Sequence, residues 1–306
     1  MKWTSPLVTG TLLKRYKRFL VDVRLPNGDV VMAHCANTGA MLGLPKENAQ
    51  VWLSVSPNPN RALPYSYEMI AVEGTVYQPQ KTSDVFVSES RLNGVGLTPM
   101  TERGDKKQML FDPQASEALL SASPKGTAES LGKLDDVAQQ NSGGLMGLVL
   151  IGVNTSHPNT LVFEALQAGN IPELHGYDTI KREATIGKSR LDFKLSKAGL
   201  PDCYVEVKNC HLKRTDDVLE FPDGVTSRGA KHLEELIALK QQGLRAVMLY
   251  IGQRNDCSAF KIAADLDPAY AEAFTAAHQA GVEMLCYDCV LTTETIQLGK
   301  KLRVIG

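Results

Sequence analysis

Apolar residues in the first quarter of the chain recur with a period of two. Phe19-Leu20-Val21-Asp22-Val23-Arg24-Leu25 is followed by Pro26-Asn27-Gly28-Asp29 and then by Val30-Val31-Met32-Ala33-His34-Cys35. Proline fixes one turn position and glycine permits positive φ, so this reads as a hairpin. Further strand-like runs at Val51 to Val55 and Tyr67 to Val72 put several short strands into fewer than 80 residues, the signature of a small β-barrel. In this frame Phe19 alternates with Val21 and Val23, which assigns it to the core.

The pattern changes twice. Residues 79–146 are rich in glutamine, serine, glycine and charge, with a short apolar patch at Asp84 to Val87 and linker-like stretches at Ala122 to Thr127 and Gln139 to Gly144. They read as a variable, partly flexible insertion between a barrel over 1–78 and a second domain over 147–306. That domain shows a short helix at Thr160 to Ala168, strands at Arg190 to Leu195 and Cys203 to Cys210, and a helix at Ser227 to Gln241. Leu233, Leu236, Ile237 and Leu239 follow helical spacing there. A continuous apolar strand, Leu244 to Ile251, comes next. Asp267-Pro268 then opens a helix that Gly281 closes, and Val282 to Leu291 reads as the final strand. The expected class is α/β with an all-β part.

Composition narrows the function. At 43% hydrophobic and 22% charged residues, with net charge −1, the chain is neither disordered nor drawn to polyanions as a whole. It contains no apolar stretch near the roughly 20 residues of a membrane span. Its start leads into Lys14-Arg15-Tyr16-Lys17-Arg18 instead of a signal-like core. Six cysteines in 306 residues form no disulfide framework, so a cytoplasmic location is expected. Charge is local. Residues 1–30 hold six basic against two acidic side chains, and so do residues 181–197.

The most informative text is Arg190-Leu191-Asp192-Phe193-Lys194-Leu195 with Cys203-Tyr204-Val205-Glu206-Val207-Lys208-Asn209-Cys210. Alternation puts Arg190, Asp192 and Lys194 on one face of the first strand and Tyr204, Glu206 and Lys208 on one face of the second. If the two pair, Asp192, Glu206 and Lys208 converge. Two carboxylates and a carbonyl suit Mg²⁺ or Mn²⁺, and the lysine can hold an attacking water. A solvated outer face is the alternative reading of the same residues.

Asp192 with Glu206-Val207-Lys208 resembles the signature of the PD-(D/E)xK nuclease superfamily, with Leu191 where its name has proline. The wider text resembles the sugar fermentation stimulation protein A family. The stretches that carry this are Arg15 to Leu20, His34-Cys35-Ala36-Asn37-Thr38-Gly39-Ala40-Met41, Val153-Asn154-Thr155, Ser189 to Phe193, Tyr204 to Asn209, and Phe221-Pro222-Asp223 through Arg228-Gly229-Ala230-Lys231-His232-Leu233. The resemblance implies an N-terminal OB-like barrel, a nuclease-like α/β domain, DNA as partner and a regulatory link to sugar use, maltose included. It also implies Asp192, Glu206 and Lys208 as the catalytic site and a further acid from the preceding helix, for which Glu164 is preferred over Glu183.

Cations at a helix start oppose its dipole, which makes Arg228 and Lys231 candidates for phosphate binding, with extension into water as the alternative. Arg190 joins them as a nucleic-acid contact. In the barrel Arg15, Lys17 and Arg18 are candidates of the same kind, with Tyr16 and Trp52 available for stacking. Gly187-Lys188-Ser189 fails as a phosphate loop because position 182 is Arg182. Cys286 and Cys289 fail as a zinc pair because no second pair exists. His34 with Asn37 and Thr38 reads either as a polar pocket or as loop-stabilising hydrogen bonds. A non-catalytic DNA-binding regulator and a sensor of a small anion remain as alternative functions.

Overall fold

A computed structural model describes residues 1–3, 5–73, 148–186, 189–215 and 217–305. The insertion read over 79–146, with its apolar patch and linkers, lies outside them. Five strands build the first part: β1 (Val8–Tyr16), β2 (Leu20–Arg24), β3 (Val30–His34), β4 (Gln50–Val55) and β5 (Tyr65–Glu73). Antiparallel pairing runs β3-β2-β1-β4-β5, and a parallel pairing of Ala33 with Tyr65 and His34 with Ser66 joins β3 back to β5. The sheet therefore closes into a barrel, which removes its free edges. Leu12, Val21, Val23, Ala33, Val51, Leu53, Tyr67 and Ile70 fill its core. The turn before β3 is held by Leu25 N–H to the Asp29 carbonyl at 2.8 Å, with Gly28 at φ 92°.

Two sequence expectations change here. Phe19 is 45% exposed, because β2 starts at Leu20 and Phe19 belongs to the preceding turn, where Lys17 and Arg18 both adopt positive φ. Trp52 is buried, so the stacking surface it was read to offer does not exist.

Strand β6 (Leu148–Gly152) pairs antiparallel with β5 and leads the chain out of the barrel. Then follow α1 (His157–Ala168), β7 (Thr179–Ile186), β8 (Ser189–Ser196) and β9 (Cys203–Cys210). Helix α1 starts before the expected Thr160, since Pro158 needs no donated hydrogen bond in a first turn. The remaining elements are β10 (Leu212–Thr215), β11 (Val218–Phe221), α2 (Ser227–Gln241), β12 (Arg245–Gly252), β13 (Ala259–Ile262), α3 (Pro268–Gln279), β14 (Glu283–Leu291), β15 (Ile296–Lys301) and β16 (Arg303–Ile305). Leu291 thus does not end the last strand. Edge strand β15 alternates weakly in hydrophobicity because Lys300 and Lys301 face solvent, and β16 is short.

The main sheet has the order β15-β14-β12-β9-β8-β7, with β9, β12 and β14 parallel and the flanking strands antiparallel. Helices α2 and α3 are the crossovers between the parallel strands, and β12 is buried from Ala246 onward. Leu233, Leu236 and Leu239 of α2 pack with Tyr250, Tyr270 and Phe274 in one core. Helix α3 is capped as the sequence predicts: Asp267 accepts the Tyr270 N–H at 3.0 Å, and Gly281 takes φ 85°. A second sheet, β10-β11-β13-β16, lies beside the first. Among the described residues no helix is long and apolar enough to cross a membrane.

Candidate functional site

The site forms where the β8–β9 ladder stops. Pairing runs Leu195 with Cys203, Lys194 with Tyr204 and Phe193 with Val205, and goes no further. At the next position the Asp192 carboxylate takes over from the backbone. Its Oδ2 accepts the Val207 N–H at 2.8 Å, and its Oδ1 accepts from Asn159 Nδ2, in the first turn of α1, at 2.7 Å. Side-chain alternation is lost here as well. Leu191 joins the core beneath α2, while Phe193 stacks on Phe163 of α1 at 6.5 Å. Asp192 therefore meets the backbone edge of β9 beside Glu206.

Glu206 is the centre of the cluster. Its Oε1 accepts from Lys208 Nζ at 2.7 Å and contacts His232 Nδ1, while Lys208 Nζ stands 3.0 Å from the same ring nitrogen. Arg228 Nε donates to His232 Nε2 at 3.4 Å, which orients the imidazole so that Nδ1 donates to the glutamate. The side chains of Glu206 and Lys208 are 5% and 13% exposed. Glu206 Oε2 is buried and has no hydrogen-bond partner.

The two carboxylates are pushed apart in acidity. Burial raises Asp192, and the Glu206 charge raises it further against the opposing bonds from Val207 N–H and Asn159. Burial also works against ionised Glu206, but the contacts with His232 and Lys208 outweigh it and hold that carboxyl below its usual range. An ionised glutamate with one bare buried oxygen beside a second carboxylate is an arrangement that a cation relieves. Beside Lys208 and His232, two acidic side chains and an amide offer oxygen donors of the kind a hard divalent ion takes. Among the described residues no group of three or more His, Cys, Asp and Glu side chains is gathered so that it could hold a metal ion.

The remaining candidates are dispersed. Glu164, expected as the third acid, pairs with the N-terminal ammonium at 2.8 Å. It follows Asn159 by five residues, roughly 140° around the helix, so the two project from different faces. Glu183 pairs with Arg190 at 2.6 Å on an exposed surface. Arg228 and Lys231 are exposed in the first turns of α2, whose N-cap Thr226 accepts the Gly229 N–H at 3.2 Å. In the barrel, Arg15 is committed to the protein: its Nη2 donates to the carbonyls of Arg18, Asn37 and Gly39, each at 2.8 Å. Arg18 Nε donates to the Thr38 carbonyl at 2.8 Å, and Lys17 is exposed. Asn37 Oδ1 accepts the Gly39 N–H at 2.9 Å, so the loop after His34 is braced by its own hydrogen bonds.

Sequence reasoning missed His232 and Asn159. The helical spacing of Arg228 and His232 was the available signal for the first. The second was hidden because the helix was expected to begin one residue beyond it. It also missed how the barrel is tied to the site. Glu68 of β5 is buried, accepts from Ser54 Oγ at 2.6 Å and Asn154 Nδ2 at 2.9 Å, and pairs with His157 at 2.6 Å. Gln253 Nε2 donates to the Asn154 carbonyl at 3.0 Å and to Asn209 Oδ1 at 2.7 Å, next to Lys208. On the other side of the junction, Asp223 Oδ2 accepts the Met41 N–H at 2.8 Å.

Residues 156–295 match the family model described as sugar fermentation stimulation protein RE domain, and residues 13–77 match that of the SfsA N-terminal OB domain. A sugar fermentation stimulation protein homolog of Rhodospirillum centenum is 40% identical over 305 residues, covering 99% of each chain. The homolog of Agrobacterium fabrum is 36% identical over 299 residues, covering 97% of this chain and 94% of that one. Among solved structures, that of Pyrococcus furiosus SfsA in complex with Ca²⁺ superposes with a TM-score of 0.68 at 22% identity, covering 100% of this chain and 99% of that one, a likeness of fold.

Proposed function

The chain belongs to the sugar fermentation stimulation protein family, and from that premise we propose that it is a DNA-binding protein whose α/β part cleaves phosphodiesters with Mg²⁺ or Mn²⁺. The observation that carries this reading is the bare, buried Oε2 of ionised Glu206 beside Asp192 and Lys208. Asp192 and Glu206 would hold the cation, which supplies stabilisation of the negative charge that grows on a phosphate under attack. The Pyrococcus furiosus protein of similar fold was solved in complex with Ca²⁺, another oxygen-preferring ion, which accords with a divalent cation as ligand.

The protein's own groups do the rest. Lys208, held by Glu206, presents its ammonium where it can hold a water in line with the phosphorus. His232 fixes the glutamate that fixes the lysine, and Arg228 fixes His232. Arg190, Lys231 and the outer edge of Arg228 supply positive charge for the backbone of the nucleic acid. On the barrel, exposed Lys17, Arg18 and Phe19 combine charge with an aromatic face, the pairing that holds single strands on OB-type surfaces. In this reading the link to sugar use named in the family acts through DNA. All six cysteines are buried and free, which fits a reducing cytoplasm.

The test is incubation of the protein with plasmid, single-stranded DNA and RNA in Mn²⁺. Cleavage by wild type and its loss in Glu206→Ala is the expected result. No cleavage by wild type, or equal cleavage by both, overturns the catalytic reading. DNA binding that weakens with salt and survives the loss of the carboxylates then identifies a non-catalytic regulator.

A further inference from the structure

The helix that precedes the site contributes a neutral amide to Asp192. Asn159 stands in the first turn of α1 and reaches Asp192 Oδ1 at 2.7 Å, on the side of that carboxylate away from Val207 N–H. Its helix is anchored at its first residue by the contact of His157 Nε2 with buried Glu68 Oε2 at 2.6 Å, so the amide is delivered by a fixed backbone. Both Asp192 oxygens have a donor already, Glu206 Oε1 has Lys208 and His232, and Glu206 Oε2 alone has none. Among the described residues Asn159 is the one neutral side chain hydrogen-bonded to Asp192.

We infer that Asn159 is a positioning residue that sets how tightly Asp192 and Glu206 take a divalent cation. The inference rests on the cation site proposed above and adds a member to it. With its NH₂ on Asp192 the amide holds that carboxylate towards β9. The amide oxygen on the same group is a hard neutral ligand of the kind Ca²⁺ and Mn²⁺ accept. A neutral group at this place keeps the side-chain charge of the ligand set at two negatives, partly balanced by Lys208. That favours a site that loads and releases one ion over a site that retains it. A third carboxylate at position 159 makes the opposite site: strained by like charges when empty and tight when filled.

The experiment is thermal unfolding of the full chain in EDTA and across a Mn²⁺ titration, for wild type, Asn159→Asp and Asn159→Ala. Wild type gains stability with Mn²⁺. Asn159→Asp melts below wild type in EDTA, overtakes it as Mn²⁺ is added, and shows an apparent dissociation constant at least tenfold lower. Asn159→Ala needs several-fold more Mn²⁺ than wild type. A residue that only braces the helix weakens cation binding, or leaves it unchanged, in both variants. Mn²⁺ affinity in Asn159→Asp that is no tighter than wild type therefore overturns the inference, whereas no response of wild type to any divalent cation overturns the site on which it rests.

Discussion

Lys208→Met separates the lysine's two roles, as the cation that neutralises Glu206 and as a partner of the substrate. Its ammonium lies 2.7 Å from Glu206 Oε1, with both side chains almost fully buried. Removing one partner of a buried ion pair costs about 3–5 kcal/mol, because the remaining charge is left uncompensated. His232 stays on the same oxygen, which puts the expected loss at the low end, about 3 kcal/mol. A divalent cation repairs this damage, since it supplies positive charge to the same carboxylate. Any folded-state ligand at about a hundred times its dissociation constant adds about 2.7 kcal/mol, and every tenfold gain in affinity adds about 1.4 kcal/mol more. Without the competing ammonium, Lys208→Met binds the ion at least tenfold more tightly. Urea unfolding then shows a gap to wild type of about 3 kcal/mol in EDTA that shrinks to about 1.5 kcal/mol or less in excess Mn²⁺. A gap of the same size in both media refutes the reasoning, because it means the ion and the ammonium do not serve the same carboxylate.

Three other perturbations probe the surroundings. Gly152→Ala places a Cβ against the buried Gln253 side chain, 2.9 Å from its Cδ, and is expected to cost about 1–3 kcal/mol in urea unfolding. Burial works against ionised Glu68, but its bonds to His157, Ser54 and Asn154 prevail and hold its carboxyl below the usual range. The stability it contributes is thus present above the unfolded carboxylate pKa and lost as pH falls through the lower folded value. Glu68→Gln is expected to lie about 1.5–3 kcal/mol below wild type at neutral pH, with the gap closing on acidification in pH-dependent urea melts. Phe19→Ala leaves stability nearly unchanged, since the ring is largely exposed, and weakens single-stranded DNA binding by about 1–3 kcal/mol in fluorescence titrations.

What the sequence made legible follows physical signals of unequal strength. The hairpin around Gly28 and the caps of α3 could be read because each depends on a few residues whose backbone demands are local. The buried strand β12 could be read because an unbroken apolar run has few alternatives. Asp192, Glu206 and Lys208 fall on adjacent, paired strands as the hairpin reading expects, but the alternation fails at Asp192, which does not lie on a strand face. It captures the Val207 N–H where the ladder ends, a long-range event with no periodic signature. Phe19 shows the same weakness at a boundary, where one residue of shift at the start of β2 moves it from core to solvent. Residue type alone points to Glu164, whereas the geometry of α1 sends Asn159 to Asp192 and Glu164 to the amino terminus. The strands β10, β11, β13 and β16 are too short to carry a pattern, and their pairing is set by the sheet they join.

The central claim is that Asp192 and Glu206 share one divalent ion, and anomalous scattering from crystals soaked in Mn²⁺ tests it most directly. The account predicts a single strong peak with an oxygen of each carboxylate at roughly 2.0–2.4 Å, the range of hard-cation contacts, one of them Glu206 Oε2. A peak bound elsewhere, or none between these two side chains at saturating Mn²⁺, contradicts it.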